Sequence, residues 1–309
     1  MAVYLVTGGA GFIGSHLCDA LMARGDTVRV LDDLSTGFRR NVPAGAALIE
    51  GDVGDRVAVR RALDGADGCF HLAAIASVER GVKDWVSTHR TNLSGTIVLF
   101  DAVREHGSRI PVVYASSAAV YGDCKTVPIA EDAERRPLSA YGADKYGCEL
   151  HARVAGHVHS IPTVGLRFFN VYGPRQDPRS PYSGVISIFC ERIGAGLPVS
   201  VFGDGLQTRD FVHVGDVVAA LLAAMRLRST GAPVFNVCTG TPTTVLDLAA
   251  TIADLAGKPL DARHLPARAG EIRHSLGCSA RARAALGLGE PTRLRIGLAS
   301  VLGWLAAAQ

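Results

Sequence analysis

A tyrosine and a lysine stand four residues apart in the segment Tyr141-Gly-Ala-Asp-Lys145, at the start of a predicted helix. Side chains at this spacing lie on one face of a helix, so the phenol and the amine reach the same region. A free phenol has a pKa of about 10 and is a poor base at neutral pH, but a nearby ammonium stabilises the phenolate. The pair predicts an acid–base group that moves a proton on and off a substrate hydroxyl. Because such a spacing also occurs on ordinary helix surfaces, the position of the pair in the fold must show whether it can act on a substrate.

Two hydroxyl groups, those of Ser116 and Ser117, follow the strand predicted at residues 110–115. Ligands of open α/β folds bind at the carboxyl ends of the strands. A serine there can hydrogen-bond a reacting oxygen and exchange a proton with Tyr141. Either serine could instead cap a turn or a helix, so the residues alone leave open which one serves the reaction.

A glycine-rich segment, Thr7-Gly-Gly-Ala-Gly-Phe-Ile-Gly14, connects the first predicted strand to the first predicted helix. Gly8, Gly11 and Gly14 allow a tight turn, a close approach of backbone N–H groups to a pyrophosphate, and close packing of helix on strand. In this strand–turn–helix context the pattern predicts a dinucleotide site.

The nature of the dinucleotide is indicated by Asp32, which ends the second predicted strand 18 residues after Gly14. A carboxylate at this position accepts hydrogen bonds from both ribose hydroxyls and repels a 2′-phosphate. NAD is therefore the predicted cofactor. Arg39 and Arg40 follow closely, so NADP is disfavoured rather than excluded.

The elements that must position these groups alternate between short β-branched runs and longer helical patterns. Near-continuous apolar strands separated by helices predict an α/β fold: a Rossmann-type, doubly wound parallel sheet with a smaller mixed α/β substrate-binding lobe. The NAD-binding domain is predicted over residues 1–172 plus about 211–238, and the lobe over about 173–210 plus 239–309. Strands are predicted at residues 3–7, 27–31, 68–72, 110–115, 162–169 and 234–237, and helices at 12–22, 57–63, 85–106, 141–157, 215–225, 245–256, 280–286 and 294–305.

The composition narrows the class of protein. With 309 residues, 48% of them apolar and 20% charged, the chain is not disordered or fibrous. A net charge of +3 without long runs of like charge indicates no basic segment of the kind that binds nucleic acid. Seven widely spaced cysteines favour reduced thiols, and no apolar stretch reaches the ~18 residues of a membrane span. We therefore predict a cytoplasmic protein with no metal site and no nucleic-acid or membrane partner.

Several motifs in order resemble the extended short-chain dehydrogenase/reductase family, specifically the nucleotide-sugar 4-epimerases of the UDP-glucose 4-epimerase type. The matching segments run almost from end to end of the chain. They include Thr7 to Gly14, Leu31-Asp-Asp-Leu-Ser-Thr-Gly37, Gly51-Asp52, His71-Leu-Ala-Ala74, Asn92-Leu-Ser-Gly-Thr96, Ser116 to Gly122, Tyr141 to Lys145, Arg167-Phe-Phe-Asn-Val-Tyr-Gly173, Arg209-Asp-Phe-Val-His213 and Arg268-Ala-Gly-Glu271.

The resemblance implies an enzyme that binds NAD and a UDP-sugar and forms a homodimer through the helices near residues 85–106 and 141–157. It implies catalytic roles for Tyr141, Lys145 and Ser117. The implied NAD-binding residues are Gly8, Gly11, Phe12, Ile13, Gly14, Asp32, Asp33, Ser35, Thr36, Gly37, Asp52, Val53, Leu72, Ala73, Ala74, Asn92, Tyr141, Lys145 and Phe169. The implied substrate-binding residues are Ser117, Asn170, Arg209, Arg268, Glu271 and Ser275.

Within this superfamily, sugar dehydratases and decarboxylases carry a carboxylate just after the active-site hydroxyl, whereas this chain has Ala118 and Ala119. The resemblance therefore favours C4 epimerisation of a UDP-hexose through a 4-keto sugar. The small Ser275, at the position that closes the sugar pocket in relatives, predicts that N-acetylated UDP-sugars also fit. Two enzymatic alternatives stay open, a nucleotide-sugar 4-ketoreductase and a uronate 4-epimerase in which Arg80 or Arg175 meets the C6 carboxylate. An NAD-sensing scaffold is the alternative without catalysis.

Overall fold

The structure is a computed structural model that describes residues 1–76, 78–107, 110–178, 184–268, 270 and 272–307. Its strands are β1 (Val3–Thr7), β2 (Thr27–Asp32), β3 (Ala47–Glu50), β4 (Gly68–His71), β5 (Val112–Ser117), β6 (Thr163–Phe168), β7 (Asn170–Tyr172), β8 (Val199–Phe202), β9 (Thr208–His213), β10 (Val234–Val237), β11 (Pro242–Thr244), β12 (Ala262–Leu265) and β13 (His274–Ser275). Its α-helices are α1 (Phe12–Ala23), α2 (Arg56–Leu63), α3 (Val78–Lys83), α4 (Trp85–His89), α5 (Gly95–Glu105), α6 (Ala140–His159), α7 (Val185–Gly194), α8 (Val214–Ala224), α9 (Val245–Ala256), α10 (Ala280–Leu286) and α11 (Leu294–Ala307).

A seven-stranded parallel sheet forms the centre of the molecule, in the order β10-β6-β5-β4-β1-β2-β3. Helices cover both faces, α1 and α8 on one and α2, α5 and α6 on the other, each over its own apolar core. The strands are buried on both faces, which is why their sequences read as near-continuous apolar runs. This architecture confirms the predicted Rossmann-type α/β fold.

A smaller sheet lies beside the carboxyl ends of the main strands. Its centre is β9, which pairs with β7 and β13 in parallel and with β11 in antiparallel orientation. Helices α7, α9 and α11 pack with β8 and β9 around a separate apolar core. The chain therefore returns to one small sheet from four segments that lie far apart in sequence.

The predicted elements and the observed ones differ where the pattern is short. Strand β10 joins the edge of the main sheet, as predicted, but β3 and the strands of the smaller sheet were not predicted. These strands have two to six residues, and in most of them polar residues interrupt the apolar run that predicted the other strands. The helix predicted at residues 85–106 is divided, because a π-helical turn at Arg90–Ser94 separates α4 from α5. Within the described residues, no helix has the length and apolarity that crossing a membrane requires.

Candidate active site

A cavity of about 460 Å³ opens at the carboxyl edge of the main sheet, between the glycine-rich loop and the start of α6. It brings together most of the residues that the sequence singled out. Those lining it are Gly8, Gly11, Phe12, Ile13, Gly14, Asp32, Asp33, Ser35, Thr36, Asp52, Val53, Leu72, Ala73, Ala74, Ser116, Ser117, Tyr141, Lys145, Phe169 and Asn170. Ligands of doubly wound sheets bind in this location.

The glycine-rich loop is built so that backbone approaches backbone. Gly8 has a φ of +71°, and a Cβ atom there would lie 2.7 Å from the backbone N of Ala73. A Cβ atom on Gly14 would lie 2.2 Å from the carbonyl oxygen of Gly8. Helix α1 begins after Gly11, and no side chain caps it there. The uncapped helix start faces the cavity and is suited to an anion such as a pyrophosphate.

Asp32 ends β2 at the wall of the cavity and is oriented by the backbone. Its carboxylate accepts hydrogen bonds from the N–H groups of Ala10 at 2.9 Å and of Leu34 at 2.9 Å. Burial raises the pKa of this carboxyl, and the two N–H donors oppose that shift. The carboxylate is therefore held in one place, where vicinal hydroxyls of a ribose can donate to it.

The two arginines that follow are occupied elsewhere. Arg39 pairs with Glu50 at 2.5 Å, and the Arg40 guanidinium lies 4.2 Å from the centre of the Phe38 ring. Neither contact directs the guanidinium toward Asp32. Neither arginine is therefore placed to bind the 2′-phosphate of NADP, and the prediction of NAD is retained.

An Asp32→Asn variant is expected to lower the preference for NAD over NADP by about tenfold or more. A hydrogen bond to a charged group contributes ~1.5–3 kcal/mol, and the variant loses such bonds to the ribose hydroxyls of NAD. The amide oxygen of Asn still accepts one backbone N–H, but the neutral amide no longer repels the 2′-phosphate of NADP. The measurement is the pair of dissociation constants for NAD and NADP by titration calorimetry. Asp64→Asn, which alters an exposed carboxylate between α2 and β4, is the matched control. An unchanged ratio in Asp32→Asn would remove Asp32 from the cofactor site.

A series of buried, hydrogen-bonded side chains supports the loop after β4. Thr96 donates its hydroxyl to the carbonyl of Asn92, so it accepts from Nε2 of His71, and Nδ1 of His71 accepts from Thr7. Thr7 in turn accepts the N–H groups of Leu72 and Ala73, each at 3.2 Å. Burial, assisted by the charge of Lys145, lowers the pKa of His71 to about 3, in keeping with this neutral tautomer.

Asn92 belongs to the same support. It is fully buried, and its amide accepts the N–H of Ile75 at 2.8 Å and donates to the Ile75 carbonyl at 3.2 Å. It thus lies behind the cavity wall, within the π-helical turn, a feature that is frequent at functional sites. Gly37 also lies outside the lining, and a Cβ atom there would lie 2.9 Å from the backbone carbonyl carbon of Ala10.

Tyr141 and Lys145 occupy the first turns of α6, beside the end of β5. Tyr141 lines the cavity and is half-buried. Lys145 is buried, its Nζ donates to the carbonyl of Ala115 at 2.9 Å, and the same atom lies 5.9 Å from the centre of the Tyr141 ring. Ser139 caps the helix by accepting the N–H of Gly142 at 3.0 Å. The geometry keeps an ammonium beside a phenol that faces the cavity.

The structure distinguishes the two serines. Ser116 is buried and donates its hydroxyl to Glu149 at 2.6 Å. Ser117 accepts the N–H of Ala119 at 3.1 Å, which leaves its own O–H without a partner among the described residues. Ser117 caps the following turn and also presents a donor to the cavity. A capping role and a role in the reaction are therefore compatible for this residue.

The residues implied in substrate binding lie on the smaller sheet and nearby. Asn170 starts β7, while Arg209 on β9 is in register with Ser275 on β13. The Arg268 guanidinium lies 3.9 Å from the centre of the Phe202 ring. Among the described residues, Arg209, Arg268 and Ser275 do not line the 460 Å³ cavity, and Glu271 lies outside the described part of the chain. The neighbouring Asp210 accepts hydrogen bonds from Thr239, Gly240 and Gly277.

Some cavity-lining residues were not predicted as site residues. Phe38 and Asn41 lie beside the loop after β2, and Thr91 lies in the π-helical turn. Gln176 and Asp177 follow Arg175 in the segment after β7. None of them stands in a motif with a recognisable spacing, so only the folded chain reveals them. Arg80 and Arg175, considered as partners of a sugar carboxylate, also line the cavity.

Comparisons with known proteins identify the family of the chain. Residues 4–238 match the NAD dependent epimerase/dehydratase family. A UDP-glucose 4-epimerase of Mycolicibacterium smegmatis is 37% identical over 308 residues, which are 96% of this chain and 96% of that protein.

Two solved structures share the whole architecture. UDP-glucose 4-epimerase with UDP-glucose from Thermotoga maritima is 35% identical, with a TM-score of 0.94 over 99% of both chains. UDP-N-acetylglucosamine 4-epimerase from Methanobrevibacter ruminantium M1, in complex with UDP-N-acetylmuramic acid, is 32% identical, with a TM-score of 0.94 over 100% of this chain and 99% of that chain. The resemblance predicted from the motifs is confirmed, and the chain belongs to the NAD dependent epimerase/dehydratase family.

Proposed function

We propose that this protein is an enzyme that interconverts the C4 epimers of a UDP-hexose. The observation that carries the proposal is the meeting of Tyr141, Lys145 and Ser117 in one cavity with the glycine-rich loop. The relatives named above act on UDP-glucose or UDP-N-acetylglucosamine, as their names state, which supports a UDP-sugar as the substrate class. Family membership supports NAD as the cofactor.

The residues present fit NAD. The loop at Gly8 and Gly14 has no room for side chains and surrounds the uncapped start of α1, where the pyrophosphate would bind. Asp32 would accept the adenosine ribose hydroxyls. When bound, NAD would supply hydride-transfer chemistry at C4 of the sugar. Inversion would require the 4-keto sugar to turn about its diphosphate, so that its opposite face lies toward the cofactor site.

Side chains of the protein would transfer the proton of the sugar 4-hydroxyl. Tyr141 would accept the proton of the 4-hydroxyl as C4 is oxidised and would give it back when C4 is reduced. Ser117 would donate a hydrogen bond to the same oxygen, and Lys145 would stabilise the phenolate. Ala118 and Ala119 offer no acid or base toward C5, so the chemistry stays at C4.

The experiment is incubation of the purified protein with UDP-glucose, UDP-N-acetylglucosamine and UDP-glucuronate, each alone, with products identified by proton NMR. Formation of the galacto isomer of either of the first two supports the proposal. Conversion of UDP-glucuronate alone would favour a uronate 4-epimerase, for which Arg80 and Arg175 in the cavity lining are the relevant observation. Net reduction with consumption of NADH would indicate a ketoreductase, and no conversion at all would favour an NAD-sensing protein.

Specificity toward N-acetylated sugars is proposed to depend on Ser275. Its side chain is small, and its register with Arg209 puts it next to a residue proposed to bind the nucleotide diphosphate. We propose that residues 1–172 and about 211–238 bind NAD, whereas about 173–210 and 239–309 bind the nucleotide sugar. This division is supported by β10 on the main sheet and Arg209 on the smaller one.

We further propose that the protein is a homodimer. Leu150, Val154 and Val158 form an apolar stripe on α6, at four-residue spacing, and are 48%, 50% and 61% exposed. Ile97 on the adjacent α5 is also exposed. A continuous apolar face on two neighbouring helices is suited to an isologous contact with a second copy.

A Val154→Glu variant is expected to be monomeric, since a charge would be buried at the centre of this contact. Sedimentation velocity of wild-type and variant protein measures the change. Val57→Glu, at a 75% exposed valine on α2, is the matched control and is expected to leave the dimer intact. A monomeric wild-type protein, or a dimeric Val154→Glu variant, would contradict the proposed interface.

A further inference from the structure

Beneath the edge of the cavity, three polar side chains form a row across the main sheet. Ser116 on β5 is in register with Arg167 on β6, and Arg167 is in register with Asn236 on β10. All three are buried, with exposures of 1%, 3% and 0%. A buried row of this kind persists only where its members satisfy one another.

Glu149 on α6 completes one end of the row. Its carboxylate accepts two hydrogen bonds from Arg167, at 2.8 and 2.7 Å, and a third from the hydroxyl of Ser116 at 2.6 Å. At the other end, Arg167 donates to Tyr121 at 2.6 Å, and Tyr121 donates to Asn236 at 2.7 Å. The buried charges of Arg167 and Glu149 are therefore paired with each other.

The Glu149 end coincides with the catalytic groups. Tyr141, Lys145 and Glu149 follow one another at intervals of four on one face of α6. Lys145 donates to the carbonyl of Ala115, and Glu149 accepts from the next residue, Ser116. Two consecutive residues at the end of β5 are thus attached to one helix, directly before Ser117.

We propose that Glu149 is a positioning residue that, through Ser116, sets the distance between Ser117 and Tyr141. Ser116 lines the cavity and Glu149 is not among the described residues that do, so Glu149 acts through the Ser116 hydroxyl rather than on substrate. This inference rests on the proposed function. Its physical basis is that displacement of a catalytic group by about 1 Å can cost about 10²-fold in rate.

The test uses Ser116→Ala, which removes one hydroxyl and leaves the Glu149–Arg167 pair intact. Substitution of Glu149 itself would leave the buried charge of Arg167 unpaired and endanger folding. We expect Ser116→Ala to lower kcat about tenfold, with the KM for the UDP-sugar within about twofold of wild type. Ser116→Thr, which keeps a hydroxyl, is expected to restore most of kcat.

Tyr121→Phe is the matched control, because it breaks the same network on the far side of Arg167. It is expected to lower Tm at least as much as Ser116→Ala does, while kcat stays within about twofold of wild type. If Tyr121→Phe reduced kcat as strongly as Ser116→Ala, the effect would be general loss of stability and the inference would be wrong.

A readout independent of turnover separates this inference from the proposed function. Crystal structures of wild type, Ser116→Ala and Tyr121→Phe give the distance between Ser117 Oγ and Tyr141 Oη. A change of that distance in Ser116→Ala, but not in Tyr121→Phe, supports the inference. An unchanged distance overturns it, whereas a wild-type protein that converts no UDP-sugar overturns the proposed function.

Discussion

A Tyr141→Phe variant is expected to lose at least about 10²-fold in turnover while NAD binding stays close to that of wild type. The substitution removes only the phenolic oxygen, the proposed site of proton transfer to and from the sugar 4-hydroxyl. The ring remains at the cavity wall beside Lys145, and the hydrogen bond from Lys145 to Ala115 does not involve Tyr141. The measurement is kcat for epimerisation by NMR, together with the dissociation constant of NAD.

Tyr146→Phe provides the matched control for this result. Tyr146 lies on the same helix but outside the described cavity lining, near the Arg135 guanidinium at 5.9 Å. Its variant is expected to turn over at the wild-type rate. Full activity in Tyr141→Phe would mean that another group carries the proton, and the proposed mechanism would be abandoned.

A Gly14→Ala variant is expected to bind NAD at least about tenfold more weakly and to unfold at a lower temperature. In a helix, Ala is favoured over Gly by about 1 kcal/mol, so propensity alone predicts a gain in stability. At this position the added Cβ would lie 2.2 Å from the Gly8 carbonyl oxygen and 2.8 Å from the Gly9 Cα. Overpacking against backbone costs about 1–3 kcal/mol and displaces the turn that is proposed to bind the pyrophosphate. The clash therefore outweighs the helix propensity, and the stability is expected to fall.

Gly303→Ala is the control for the helix-propensity effect. Gly303 lies in α11, and a Cβ atom there would have no heavy atom within 4 Å beyond its own helix and chain neighbours. This variant is expected to raise Tm slightly and to leave NAD affinity unchanged. Both variants are compared by thermal unfolding and by calorimetric titration with NAD. Wild-type affinity in Gly14→Ala would exclude the close backbone approach as a requirement for the cofactor.

The proposed catalytic and cofactor-binding segments could be located in the sequence because each lies within one short stretch of chain. The turn at Gly8 and the start of α1 follow from glycine spacing after an apolar strand, and Asp32 follows from its place at the end of the next strand. Tyr141 and Lys145 follow from the four-residue spacing of a helix. These relations depend on local geometry, which sequence order alone determines.

The tertiary structure decided what depends on contacts between distant segments. Both serines line the cavity, and only the folded chain shows that Ser116 donates its hydroxyl to Glu149 whereas the hydroxyl of Ser117 accepts from Ala119 and keeps its own O–H for a ligand. Pairing of short strands and burial of polar groups are long-range properties with no sequence period. The sequence by itself therefore determined the chemistry available at the sheet edge, and the tertiary structure decided which groups line the cavity and which groups hold them in place.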